Sequence, residues 1–251
     1  MPTPFYHLSI ATEILAGFDL PASIHALLHQ QRCAFFLGKT APDVQTISGQ
    51  SRPETHFYRV PLIEANPPWE RMFNRYPDLA QPDHLPPDQA AFIAGYICHL
   101  QADIIWIKDL FLPYFLPLLA KHRRKQVGYL HNVLRSFLDE RILSALQEDV
   151  GQCLLQVRVE DWLPFVEGQY LIEWQNFIAG QLLPGAKAQT FEVFAERMNM
   201  PVDALLDLVH SESRMEAEIF SFIPYQVLVE YREKLVSANL ELLKEYLGPV
   251  V

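Results

Sequence analysis

Apolar residues recur at three- and four-residue spacing along almost the whole chain, and the alternation that marks a half-buried strand is scarce. A chain patterned this way is restricted to the all-α class. Prolines then cut it into segments. Thr3 and Pro4 read as the N-cap and first helical residue of a helix running to about Leu15. Pro21 opens a second helix, to about Arg32. Residues 34–37 form a short apolar turn ended by Gly38, and residues 39–60, rich in Pro, Ser, Thr and Gly, read as loop. Seven prolines crowd residues 61–87, leaving room for one short helix at 69–75. A long helix is predicted over 88–110, broken by Pro113 and Pro117, and another over 121–148. After Gly151 four more are predicted, over 159–183, 190–198, 201–222 and 224–247, with Pro184-Gly185 as a clear break.

With 251 residues, half of them hydrophobic, the chain can bury a sizeable core as one domain or as two lobes sharing an interface. The reading places the chemistry in residues 1–150, a metal-binding helical core, and a C-terminal helical cap, part of the same domain or separate, in 151–251. A formal net charge of −10 argues against a nucleic-acid partner, which needs basic stripes. The one basic cluster, Lys121-His122-Arg123-Arg124-Lys125, reads as a solvated helix start. Three cysteines, Cys33, Cys98 and Cys153, cannot all pair and fit no zinc-finger spacing; a reducing compartment suits them best. The first residues show no basic or apolar signal region, and the apolar stretch 104–120 carries Lys108, Asp109, Pro113 and Pro117, which makes it a poor bilayer span. The expectation is a cytoplasmic protein with no transmembrane segment.

The strongest local signal is His99-Leu-Gln-Ala-Asp103. Residues four apart share a helix face, so an imidazole and a carboxylate can grip one ion. At 100° per residue, Phe92, Gly95, Tyr96, His99, Asp103, Trp106 and Leu110 fall together on the apolar face. A carboxylate there is costly unless paired or metal-bound, and a buried His–Asp hydrogen bond is the plainer alternative. Gly95, one turn before His99, allows another backbone to approach. His7 and His131 each lie on an apolar stripe, where a satisfied core histidine is the commoner outcome. His25 and His29 point away from the apolar side of their helix and read as solvated.

In the order in which they occur, the segments His7, Leu37-Gly38…Ala41-Pro42-Asp43, Thr55-His56-Phe57 and Gly95-Tyr96-Ile97-Cys98-His99…Asp103 resemble the zinc-dependent phospholipases C and the single-strand nucleases of the same helical fold. The resemblance covers roughly residues 5–110. It implies a multi-helix bundle of that type with a C-terminal helical extension, and one to three zinc ions, two being the expected number. Asp43, His56 and His99 would hold one ion, and Asp103 would bridge it to a second ion bound also by His7. The family completes that second site with the amino group of a mature N-terminal Trp; this chain begins Met1-Pro2. For the family's third site the residues depart from the pattern. Asp109, His131 and Arg135 stand nearest to it as metal or substrate ligands, and Arg135 suits a phosphate better than a metal.

The activity implied is hydrolysis of a small-molecule or lipid phosphoester, with Asp43 as the catalytic residue that orients or deprotonates the attacking water. Two alternatives remain: a metal-stabilised scaffold without catalysis, and an apolar interaction protein without metal. Residues 111–119 would pack as core or, in a lipid enzyme, form an apolar rim at the mouth of the site.

Overall fold

The computed structural model describes residues 1–120, 123–143, 146, 149–159 and 161–248. Among the described residues there is no strand, and the chain forms fourteen α-helices linked by short 3₁₀ and π-helical turns. They are α1 (Pro4–Ala16), α2 (Ala22–Gln30), α3 (Arg32–Gly38), α4 (Gln45–Ser48), α5 (Arg52–His56), α6 (Pro68–Arg75), α7 (Pro87–Trp106), α8 (Arg124–Leu143), α9 (Val150–Leu155), α10 (Gly168–Gly180), α11 (Thr190–Met198), α12 (Val202–His210), α13 (Glu212–Met215) and α14 (Tyr225–Leu247). The Lys121 and His122 end of the basic cluster, and both ends of the helix predicted over 121–148, lie outside the described residues.

The first helix starts as its sequence dictates. The Tyr6 amide donates to Thr3 Oγ1 at 3.2 Å, satisfying one of the four N–H groups that a helix start leaves open. α7 is apolar on nearly every face, and helices that are apolar all round end up central. α1, α2, α3, α6 and α14 all pack on it. One continuous apolar cluster joins residues from Phe5 to Tyr246, so the C-terminal helices share their core with the first half of the chain.

α3 and α7 make the most extensive helix–helix contact among the described residues, and two glycines let their backbones approach. A Cβ built on Gly38 would lie 2.0 Å from the Phe92 carbonyl oxygen, and one on Gly95 would lie 2.3 Å from that of Phe35. Both neighbours are backbone and cannot give way, so only glycine fits.

Several boundaries differ from the sequence reading. The turn at 34–37 is part of α3. The loop at 39–60 contains a 3₁₀ turn, α4 and α5, and α5 is initiated by Ser51, whose amide and hydroxyl both donate to the Glu54 carboxylate at 2.6 Å. The helix predicted over 159–183 begins only at Gly168, because Pro164 cannot continue a helix, and α9 occupies residues before it. The helix predicted over 201–222 is divided at Ser211.

α7 does not stop at its prolines. It continues as a π-helical segment, Ile107–Phe115, in which the Leu116 amide reaches back five residues to the Phe111 carbonyl at 2.9 Å. The wider turn accommodates Pro113, which has no N–H to give. Phe115 is fully buried, Phe111 partly, and Leu116 and Leu119 are exposed. The continuous stretch Pro87–Ala120 is long and apolar enough to cross a membrane, but 89% of its most apolar window is buried inside the protein. That is the pattern of a core helix.

Cys33 and Cys153 form a disulfide that ties α3 to α9, and Cys98 stays free and buried. Disulfides are rare where thiols are kept reduced. The pairing therefore weighs against the reducing compartment that the cysteine count suggested.

Candidate metal centre

Four elements meet at one end of the α3–α7 contact. α1 brings His7, the 3₁₀ turn Ala41–Val44 brings Asp43, α5 brings His56, and α7 brings His99 and Asp103. His7, His56, His99 and Asp103 are all 1% exposed or less. The Asp43 side chain is 14% exposed and is the one member open to solvent.

The separations within this cluster are informative. His56 Nε2 lies 3.4 Å from Asp43 Oδ1 and 3.6 Å from Asp103 Oδ2. His99 Nε2 is 3.7 Å from Asp103 Oδ2, and His7 Nε2 is 3.7 Å from Asp103 Oδ1. These are too long for hydrogen bonds. They are close to the spacing of neighbouring ligands around a shared ion, since two atoms about 2.0–2.1 Å from a tetrahedral zinc stand roughly 3.3–3.5 Å apart. His7 Nε2, His56 Nε2, His99 Nε2 and Asp103 Oδ1 are all buried and without a hydrogen-bond partner. Orphaned polar atoms of this kind are rare singly in native proteins, and here four converge. The ligand atoms of His7, His99 and Asp103, and those of Asp43, His56 and His99, make two groups with every atom within 4.8 Å of the others. The residues present fit a divalent metal with nitrogen and oxygen ligands.

The tautomers are set from behind. His99 Nδ1 faces the Lys39 carbonyl oxygen at 2.9 Å. A carbonyl can only accept, so Nδ1 carries the proton and Nε2 turns a lone pair toward Asp103. His56 Nδ1 is 2.9 Å from the Thr55 hydroxyl. Lys39 is itself fully buried, its Nζ donating to Asn239 Oδ1 at 2.7 Å, and burial lowers its pKa to about 8. The His7 and His99 rings stack 3.8 Å apart.

Electrostatics keep these donors ready. Burial, reinforced by the Arg52 charge, lowers the His56 pKa to about 4, so its ring is neutral at pH 7. Burial likewise pushes His7 well below its usual value, helped by the neighbouring His99. For Asp43, burial raises the pKa, but the facing His56 ring and the Arg52 charge outweigh it and hold the carboxyl well below the usual range. The Met1 amino group is buried and feels the charges of Arg135, Asp103, Arg52 and Asp43; burial is the main cause of its fall from 8.0 to about 4.

Two residues that the sequence reading did not assign complete the cluster. The Arg52 guanidinium pairs directly with Asp103 Oδ2 and lies 3.7 Å from Asp43 Oδ1. The Tyr58 hydroxyl donates to the same Asp103 oxygen at 2.7 Å and accepts from Arg52 Nη2 at 2.9 Å. The signal for Arg52 was present: it precedes His56 by four residues and so shares its helix face.

The remaining candidates belong to neither of these ligand groups. Asp109 pairs with Lys234 at 2.6 Å. His131 accepts from Trp106 Nε1 at 3.1 Å and sits among Phe111, Phe115 and Trp106, as a core histidine does. Arg135 donates to Asn132 and lies 4.4 Å over the Phe194 ring. Its Nε is buried without a partner, and among the described residues it forms no ion pair. Burial lowers its pKa to about 10, against the charges of Asp139 and Asp43. His25 and His29 pack ring against ring, 4.3 Å apart, with His29 Nε2 bonded to the Leu15 carbonyl at 2.9 Å.

Compared with known proteins, the sequence matches no family model, no curated protein matches it, and no solved structure matches it.

Proposed function

We propose that this chain is a zinc-dependent phosphoesterase, similar in its centre to the zinc-dependent phospholipases C. The observation that carries the reading is the convergence of four partnerless buried ligand atoms at separations of 3.4–3.7 Å around two carboxylates. Asp43, His56 and His99 would hold one ion, and His7 and Asp103, with His99 between the two groups, a second. Bound zinc supplies a water of near-neutral pKa and polarises a phosphoryl oxygen.

The chain's own residues divide the remaining work. Asp103, deeply buried, presents one oxygen toward His7 and the other toward His56 and His99, so it would serve as a ligand to both groups. Asp43 is anionic and solvent-accessible, so it can accept a hydrogen bond from an attacking water and fix its direction. From that position it could orient the water or take its proton. The Lys39 carbonyl holds His99 in the ligating tautomer.

The complete burial of His7, His56, His99 and Asp103 also suits the alternative, a metal-stabilised helical scaffold without turnover. One experiment separates the two. Protein purified without chelators is assayed for metal per chain by elemental analysis, then offered a panel of phosphomonoesters, phosphodiesters and phospholipids. Zinc at one to two ions per chain with turnover that chelation abolishes and zinc restores is the expected result. Zinc without turnover supports the scaffold, and no metal at all ends the reading.

A further inference from the structure

Arg52 occupies the place where a metal centre is least expected to hold a fixed positive charge. Its guanidinium contacts the Asp103 and Asp43 carboxylates, the only two in the cluster among the described residues. Asp103 Oδ2 receives Arg52 and the Tyr58 hydroxyl together, which fills that oxygen's acceptor capacity. The His56 and His99 Nε2 atoms face the same oxygen at 3.6 and 3.7 Å, beyond hydrogen-bond reach. The arrangement is self-consistent with one monovalent cation at its edge. It is not consistent with a dication at its centre and the guanidinium still in place, because both need the same oxygens and repel each other.

The geometry also provides an exit. The Arg52 side chain is 25% exposed, whereas Asp103 is 0% exposed. Arg52 is the first residue of α5, so its backbone is held by a capped helix start that also positions His56, while its side chain can turn toward solvent.

We propose that Arg52 is an exchangeable counter-cation: it neutralises Asp103 and Asp43 before a divalent metal enters, is displaced from them by the metal, and then binds the phosphoryl oxygens of the substrate at the mouth of the site. This rests on the zinc phosphoesterase reading above and names the residue through which that site recognises its substrate class. A planar guanidinium offers two parallel donors that match two non-bridging phosphate oxygens, which a carboxylate-lined site alone would repel. The anion's charge then replaces the one that Arg52 gave up, so metal and oxyanion bind cooperatively through a single side chain.

The test compares chelator-stripped wild type with Arg52→Met and Arg52→Lys. Zinc affinity is measured by competition with a chromophoric chelator, and the affinity of the zinc-loaded proteins for inorganic phosphate by titration calorimetry. Losing a charged hydrogen-bonding competitor should tighten zinc binding in Arg52→Met about tenfold or more. Phosphate binding should weaken about tenfold or more, the usual worth of a bidentate charged contact. Arg52→Lys keeps the charge but not the fork, so it should lose phosphate affinity while gaining little for zinc. If removing Arg52 unfolds the stripped protein, the Lys variant alone decides: unaltered phosphate affinity in it overturns the proposal. Equal zinc affinities in wild type and Arg52→Met overturn it as well, with the metal reading intact. A folded wild type that takes up no zinc removes both.

Discussion

His99 Nδ1 donates to the main-chain carbonyl of Lys39 at 2.9 Å, and this one bond ties the ligating face of α7 to the end of α3. It exists because Gly38 and Gly95 let the two backbones touch, with the Gly95 position only 2.8 Å from the Lys39 amide for any added Cβ. Gly95→Ala should therefore destabilise the protein by about 1–3 kcal/mol, as overpacking against an unyielding backbone does. It should also lower the metal content, because the Lys39 carbonyl moves with α3. Gly128→Ala is the control: nothing lies within 4 Å of that position in α8, and alanine there should stabilise by about 0.5–1 kcal/mol. Urea unfolding with elemental analysis checks both variants.

Asp103→Asn tests the proposed place of Asp103 in the metal site. The amide keeps the shape but loses the charge that Arg52 and the three imidazoles face. Metal content should fall below one ion per chain, and the metal-free protein should lose about 1–3 kcal/mol because the Arg52 guanidinium is left without its buried countercharge. A variant that binds metal like wild type would remove Asp103 from the centre.

What the sequence made legible follows from the range of the interactions. The bounds of α11 and the start of α1 were readable because caps, prolines and apolar spacing act within a few residues. The apolar face that joins His99 to Asp103 and Gly95 was readable for the same reason. α5 was not, since five residues carry no periodicity, although Ser51-x-x-Glu54 is the sequence signature of its start. Arg52 escaped because its partners Asp43 and Asp103 are supplied by other elements. The core setting of His131 was readable from its apolar stripe, but not which rings surround it, because the π-helical segment carries Phe111 and Phe115 onto it. The Cys33–Cys153 pair joins residues 120 apart, a separation on which local pattern is silent.

That disulfide has a direct consequence for stability. Closing so long a loop in the unfolded chain is worth about 2–5 kcal/mol. Cys33→Ser should lower the unfolding free energy by about that amount while leaving helical content unchanged. Thiol titration of the denatured, unreduced protein should find one reactive thiol per chain, that of Cys98, and three after reduction. Three thiols without reduction would remove the bridge.

Asp139 gives a prediction in pH. Its side chain is 0% exposed on α8, and the hydroxyls of Thr3 and Thr190 both donate to it, the latter at 2.6 Å. Burial raises its pKa from 3.8 to about 7, opposed by those hydroxyls and by Arg135. In the unfolded chain this carboxyl loses its proton near 3.8, while in the folded protein it holds the proton until about 7. The folded state therefore binds more protons in between, and the contribution of Asp139 to stability is complete below 3.8 and is lost as the pH rises through about 7. Asp139→Asn stays neutral at every pH. The two proteins should be alike in stability near pH 4, and the variant should become the more stable by a few kcal/mol as the pH approaches 8. His7 and His56, whose lowered pKa values act in the opposite direction below about 6.5, are common to both and cancel in the difference. Urea unfolding of both proteins at half-unit steps from pH 4 to 8 measures that difference. A flat difference would mean that Asp139 is ionised in the fold throughout, as an ion pair with Arg135 would make it.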